Sequence, residues 1–513
     1  MVLIVVILFF ALSASGEDSP IVETENGPIV GIKVRSRAGE LFYSFRGVPY
    51  AKPPLGNLRF RSPEKPDNWT GIYDARDEGP KCVQKIWYSK LEDPPVEGVE
   101  DCLYINIYTR VNAYIFIRFN NIAYSQSLSL SDNYPVMVYI HQGGFTLDSG
   151  QSTNVGPDYL LDEEIVLVTF NYRLGIMGFF STVDDASPGN YGYKDMIFVL
   201  RWVQENIKQF GGNKDKVTIF GQSAGGAAVH HLILSPSGKN LFHRAISESG
   251  TALNIWGYPF DDLQKDVARR QAKFVNCTME DNFAMVECLR QVPAAELIDS
   301  AKGFNYFSFE PTTIFSSVTE IKTDSNPEPF ITKAPMEIVL SGDFNQVPWI
   351  TGITSDDGMV KASSLVRKSH TLKSASEKNE DYLCNELIDF YLDGQHFINV
   401  NNTRNVQQLI NLYTDRGFAY GAYQSVLLQS RKSLNPIWLY NFNYRGKFTY
   451  GDVFAATNEN IDFQWGVCHC DELLYLFTTS DYFPPLLEED LKMSKLLVKL
   501  WTNFAKFGYE SRR

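Results

Sequence analysis

The chain has 513 residues, 44% of them hydrophobic, with 47 Lys and Arg against 60 Asp and Glu for a formal charge of −13. Such a length supplies a large buried core, and an acidic balance without a basic stripe excludes nucleic acid or an anionic membrane surface as partner. No linker, low-complexity run or internal repeat divides the chain, so one α/β domain is expected over residues 17–513.

Residues 2–12 form an unbroken apolar run, too short to span a bilayer, and Ala14, Ser15 and Gly16 follow it. This predicts a signal peptide at 1–16, cleaved near Gly16, and a secreted product. No other stretch is long and apolar enough for a membrane helix, and the last residues carry neither a retention signal nor a lipid-anchor tail, so no stable membrane anchor is expected. Glycosylation sequons at Asn68, Asn276 and Asn401 fit that compartment. So do seven cysteines. Cys82 with Cys102 and Cys277 with Cys288 are locally spaced, and each pair as a disulfide would contribute roughly 3 kcal/mol through the unfolded state. Cys384, Cys468 and Cys470 are left over, at least one of them as a free thiol.

In chain order, residues 27–32 and 41–45 read as short strands of an antiparallel edge. A loop fixed by prolines and glycines, FRGVPYAKPPLG, spans 45–56, and EDCLYINIY at 100–108 returns to strand alternation. The buried-strand run PVMVYI at 135–140 ends in His141, Gln142, Gly143, Gly144 and Phe145. Glycines directly after a strand leave backbone N–H groups unobstructed, as an oxyanion hole requires; taken alone, a glycine turn without chemistry explains them equally well. Residues 165–172 form another strand. Met196, Val199, Leu200, Val203 and Ile207 then recur at helical spacing, and Gly211-Gly212 ends that helix. Strand, helix and strand in this order make a parallel sheet.

The next strand, VTIF at 217–220, runs into G-x-S-x-G centred on Ser223 and then into the alanine-rich helix that stops at SPSG, residues 235–238. By composition alone, about one chain in six of this length carries that pentapeptide. Its position between strand and helix is the informative part, because a sharp turn there lifts a serine Oγ above the sheet edge, where a base can reach it.

These landmarks together resemble the carboxylesterase and cholinesterase family, the type-B carboxylesterases, most closely those of insects. The resemblance rests on FRGVPYAKPPLG, EDCLYINIY, the glycine turn after VMVYI, FNYRLGIMGFF, GQSAGG, LFHRAISESG and WTNFAKFG, which run in order from about Pro20 to Gly508. It implies an α/β-hydrolase fold, a large mixed and mostly parallel sheet flanked by helices, and a serine esterase without metal or cofactor. Its substrate would be a small neutral ester. The fold's chain order of nucleophile, acid and base leaves His469 as the base, since His141 precedes the serine, His230 and His231 lie on the helix after it, and His243, His370 and His396 have no motif. The family's acid precedes a glycine after a strand, which is Asp357 here in place of the usual glutamate, with Asp356 as the alternative. Ser223, Asp357 and His469 would form the triad, and the N–H groups of Gly143, Gly144 and Ala224 would hold the oxyanion. Ser249 would stand behind them. Cys468 and Cys470 flank His469, but no second ligand pair accompanies them, so a metal cluster is the weaker reading.

Several positions depart from the family pattern. Gln142 replaces a glycine of the oxyanion triplet and Cys470 replaces the glycine after the histidine, so each invites backbone strain if its φ is positive. Gln222 stands where many members have glutamate, and Glu92 where cholinesterases have tryptophan, so choline esters are disfavoured. Juvenile-hormone esterases share GQSAG, which makes them the alternative within enzymes; a catalytically silent adhesion or binding relative is the alternative from another class. Residues 111–126 add length between two strands, either as a translated intron or as a surface insertion. The chain also stops soon after WTNFAKFG, where relatives continue for tens of residues, so residues 509–513 read as a truncation.

Overall fold

The computed structural model describes residues 19–88, 91, 93–110, 133–305, 311, 313–368, 371–373, 382–399, 402–455 and 464–508. The expected leader at 1–16, the added stretch at 111–126, Glu92, His370, Asn401 and residues 509–513 lie outside them.

Among the described residues, the main sheet has nine strands. They are β1 (Ile32–Arg35), β2 (Leu41–Pro49), β3 (Tyr104–Arg110), β4 (Tyr134–Ile140), β5 (Val166–Phe170), β6 (Gly212–Gln222), β7 (Arg244–Glu248), β8 (Trp349–Thr354) and β9 (Ile437–Phe442). Their spatial order is β9-β8-β7-β6-β4-β5-β3-β2-β1. From β9 to β5 the pairs are parallel, and from β5 to β1 they are antiparallel. This is the expected mixed, mostly parallel sheet. The predicted strand at 27–32 divides at Gly31: Gly27–Val30 joins a separate small sheet, while Ile32 begins β1.

The flanking helices that matter for the site are α1 (Tyr191–Asn206), α2 (Ala224–Leu234), α3 (Thr403–Thr414), α4 (Tyr420–Gln429) and α5 (Glu488–Phe507). Alternation along the strands divides the apolar residues between two cores. Val136, Val138, Ile140, Val217 and Ile219 face one core, together with α1 and α2. Met137, Tyr139 and Phe220 face the other, where α5 buries Leu497, Val498, Trp501 and Phe504 at helical spacing. Strands covered on both faces need apolar residues at every position, which is why β4 and β5 are buried throughout. Each buried aliphatic or aromatic side chain contributes about 1.5–3 kcal/mol. Burial of this sheet is therefore what holds the ends of β4, β6 and β8 in fixed relation.

Cys82 is bonded to Cys102 and Cys277 to Cys288, while Cys468 and Cys470 are free and buried. Among the described residues, no helix is long and apolar enough to cross a membrane.

Candidate active site

β6 ends at Gln222 and α2 begins at Ala224, which isolates Ser223 in a turn with φ 57° and ψ −120°. That conformation is costly for a residue with a Cβ and persists only where the surroundings enforce it. Here the Ser223 N–H donates to the Glu248 carbonyl at 2.7 Å, and its own carbonyl accepts from the Ala227 N–H at 2.9 Å. A Cβ on Gly225 would come within 1.9 Å of the Ile140 carbonyl oxygen, so only glycine lets α2 start this close to the end of β4. Ser223 keeps part of its surface open between buried neighbours, as a nucleophile must.

Asp357 lies just beyond β8. Its Oδ1 stands 2.7 Å from His469 Nδ1, and its Oδ2 accepts the Thr354 N–H at 3.1 Å. Asp357 is fully buried and His469 is 3% exposed. A carboxylate at Nδ1 orients the ring and leaves Nε2 as the proton acceptor. Asp356 points elsewhere, accepting from Gln407 Nε2 at 2.9 Å and from the Val467 N–H at 3.2 Å. None of the other described histidines is bonded to Ser223 or Asp357. Burial pushes His141 and His230 down to about 3 and His231 to about 4, so all three stay neutral, bonded to the Gln142 carbonyl, Gln429 and the Gly257 carbonyl. His243 accepts from the Val217 N–H, and His396 is exposed.

Among the described residues, no hydrogen bond joins Ser223 Oγ to His469; the amide nitrogen of Gln222 is what touches the ring. It stands 3.3 Å from Nδ1 and 3.4 Å from Nε2. Nδ1 is engaged by Asp357, and a donor nearly equidistant from both nitrogens cannot lie along the Nε2 lone pair, so the amide covers the ring face. Gln222 Oε1 accepts in turn from the Cys470 thiol at 3.1 Å. Burial raises both Cys470 and Cys468 well above an ordinary thiol, so Cys470 is held as an S–H donor. The two backbone questions posed by the sequence have different answers. Cys470 does adopt a positive φ, 74°, whereas in the turn after β4 the positive values fall on Gly143, Gly144 and Phe145, at 101°, 62° and 61°, and not on Gln142.

Ile140 and Gly221 are register partners on adjacent parallel strands, so Gly143-Gly144 and Ser223-Ala224 emerge side by side. The Ala224 N–H belongs to the first turn of α2, whose donors have no helical acceptor. The Gly143 carbonyl accepts the N–H groups of Thr146 and Leu147 at 3.0 and 3.1 Å, which folds the turn back on itself. Ser249 is buried, and its Oγ stands 3.5 Å from Glu472 Oε1. A cleft of about 490 Å³ opens between β1, β2, β3 and residues 474–486, but no triad candidate lines it.

The sequence did not disclose Phe418. Asp415–Ala419 is a π-turn joining α3 to α4, and it brings the Phe418 ring to 4.6 Å from the His469 ring, centroid to centroid. The displaced carbonyl of Gly417 accepts from Trp256 Nε1 at 2.8 Å and from Asn254 Nδ2 at 2.7 Å. A single-turn π insertion has no pattern in hydrophobic spacing by which it could have been found.

Known proteins match this chain over most of their own length. A model described as the carboxylesterase family matches residues 18–512. Juvenile hormone esterase of Tribolium castaneum is 43% identical over 95% of this chain and 84% of its own. Venom carboxylesterase-6 of Apis mellifera is 34% identical over 98% of this chain and 88% of its own. Among solved structures, juvenile hormone esterase from Manduca sexta, with OTFP covalently attached, aligns with a TM-score of 0.79 at 27% identity, covering 97% of this chain and 92% of that one. The chain belongs to the carboxylesterase family, as an enzyme of α/β-hydrolase fold that hydrolyses carboxylic esters.

Proposed function

We propose that this protein is a secreted serine carboxylesterase that works through an acyl-enzyme on Ser223. The observation that carries the reading is the buried Asp357–His469 pair, 2.7 Å apart, beside the strained turn that presents Ser223. As the Gln222 amide moves off the ring face, His469 Nε2 takes the Ser223 proton while Oγ attacks the ester carbonyl. Asp357 stabilises the resulting imidazolium, an arrangement worth about 10⁴ in kcat where it has been removed. The oxyanion is held by the N–H groups of Gly143, Gly144 and Ala224, and each such donor contributes about 10²–10³ in rate. Collapse of the intermediate passes the proton from His469 to the leaving alcohol, and water then repeats the sequence on the acyl group.

Gln222 brings no charge to the site, which favours a neutral ester. Secretion is supported by the apolar leader, the two disulfides and the exposed sequons at Asn68 and Asn276. A narrower reading, hydrolysis of a juvenile-hormone ester, is favoured by the 43% identity to the Tribolium castaneum enzyme of that name.

The test is fluorophosphonate labelling of the purified protein, mapped by peptide mass. One adduct, on Ser223 and absent from Ser223→Ala, is the expected result. A folded protein that takes no label would overturn the reading in favour of a silent binding relative. Comparing turnover of juvenile hormone with that of short-chain nitrophenyl esters then decides the narrower reading.

A further inference from the structure

Asp148 has no part in the triad, yet the chain accommodates it at a backbone position of φ 90°, a conformation that L residues rarely adopt. Strain of this kind persists where the surroundings hold it in place. Here they do so from three directions. From the disulfide-closed loop, the Gln84 side chain bonds both backbone groups of Asp148, accepting its N–H at 2.7 Å and donating to its carbonyl at 3.1 Å. At the carboxylate, Oδ1 accepts the Ser149 N–H at 2.8 Å and an amide hydrogen of Asn154. Oδ2 accepts Gln142 Nε2 at 2.8 Å, and Gln142 Oε1 in turn accepts the Tyr139 hydroxyl at 2.8 Å.

The third direction leads to the chemistry. Gly143, the first glycine of the oxyanion turn, is closed in by this residue and the one before it: a Cβ there would lie 2.0 Å from the Leu147 carbonyl oxygen and 3.0 Å from Asp148 Cβ. Gln142, which precedes Gly143, is tied to the Asp148 carboxylate. Two consecutive residues at the start of the turn, Gln142 and Gly143, therefore converge on one side chain. Desolvation raises that carboxyl to about 6, opposed by the Ser149 N–H and then by Lys81, which leaves it ionised at neutral pH and able to accept its three donors.

We propose that Asp148 is a positioning residue of the esterase reaction: through Gln142 and its contact with Gly143 it holds the 143–144 turn with its N–H groups aimed at the developing oxyanion. The residue that breaks the glycine triplet, Gln142, thus forms a brace with Asp148. Gln142 substitutes a side-chain tie to Asp148 for the flexibility of a glycine. The inference rests on the serine-esterase reading above.

The experiment is steady-state hydrolysis of a nitrophenyl ester by Asp148→Gly, Asp148→Asn, Gln142→Ala and the Asp148→Gly/Gln142→Ala double variant, each checked by thermal melting, with Ser223→Ala in parallel. Glycine accepts φ 90° without strain, so Asp148→Gly removes the brace alone. It should lower kcat about tenfold or more with KM nearly unchanged, the signature of a contact that matters in the transition state. Asp148→Asn still offers Oδ1 to Ser149 and Asn154 and can pair with a flipped Gln142 amide, so it should restore most of kcat. The double variant should be no worse than either single one, because both cut the same tie. Wild-type kcat in Asp148→Gly, or additive losses in the double variant, would overturn the proposal while an inactive Ser223→Ala leaves the serine reading standing. An active Ser223→Ala would bring down both.

Discussion

Cys470 is the clearest single-residue conflict in the site, a side chain on a left-handed backbone with its thiol committed to Gln222. The left-handed region costs a non-glycine residue roughly 1–2 kcal/mol. The bond that offsets part of this cost keeps the Gln222 amide over the imidazole that we propose receives the serine proton. Cys470→Gly is therefore expected to raise kcat by about fivefold, equivalent to about 1 kcal/mol of barrier, by freeing both the backbone and the amide. Stopped-flow or steady-state kinetics checks this, and an unchanged kcat would mean the amide leaves the ring at no cost. The substitution itself was legible in the sequence as a departure from glycine, and so was the question of its φ. The partner was not, because Gln222 lies on a different strand-turn unit and only the fold brings it within reach.

At the scale of elements, the site depends on three strand ends and one irregular helix. The strand ends follow from apolar runs followed by glycine-rich turns, which is why residues 135–145, 217–226 and 349–358 could be located from pattern alone. The helix could not be read in the same way. From Thr403 to Gln429 it reads as continuous, and the π-turn that rotates Phe418 onto His469 is stabilised from outside, by Trp256 and Asn254. Trp256→Phe leaves the Gly417 carbonyl with Asn254 as its donor, at a cost of about 0.5–1.5 kcal/mol for the lost hydrogen bond. The expected outcome is a severalfold fall in kcat with a modest drop in melting temperature, as Phe418 loses its fixed place against His469, the proposed base. A variant with wild-type kcat and a lowered melting temperature would confine Trp256 to stability.

For the whole molecule, the packing of α5 against the sheet carries a pH dependence. Glu248, at the end of β7, is fully buried, and its Oε1 accepts Trp501 Nε1 at 2.7 Å. Burial raises its carboxyl from 4.5 to about 8, and Glu472 shifts in the same direction. The folded protein therefore retains a proton that the unfolded chain has already released. Between the two values this group lowers stability as pH rises; above about 8 its penalty is constant, and at low pH it vanishes. Glu248→Gln keeps the acceptor for Trp501 and removes the titration. Its melting temperature should match the wild type near pH 5 and exceed it by a few degrees at pH 9. A pH-independent difference would show that packing, not protonation, is responsible.

The sequence by itself determined the class of architecture, the family, the chain positions of Ser223, Asp357 and His469 as candidates, and the two cysteine pairs. Those depend on local signals: alternation within a strand, glycines where a turn admits no Cβ, and motif order along the chain. Only the tertiary structure decided that Asp357 and not Asp356 faces the ring, that Gln222 covers it, that Gln142 is braced by Asp148, and that Phe418 lies against His469. Each of these is a contact between segments far apart in sequence or a choice between two side-chain directions. Such contacts are set by how buried strands and helices pack, which leaves no periodic trace in any one segment.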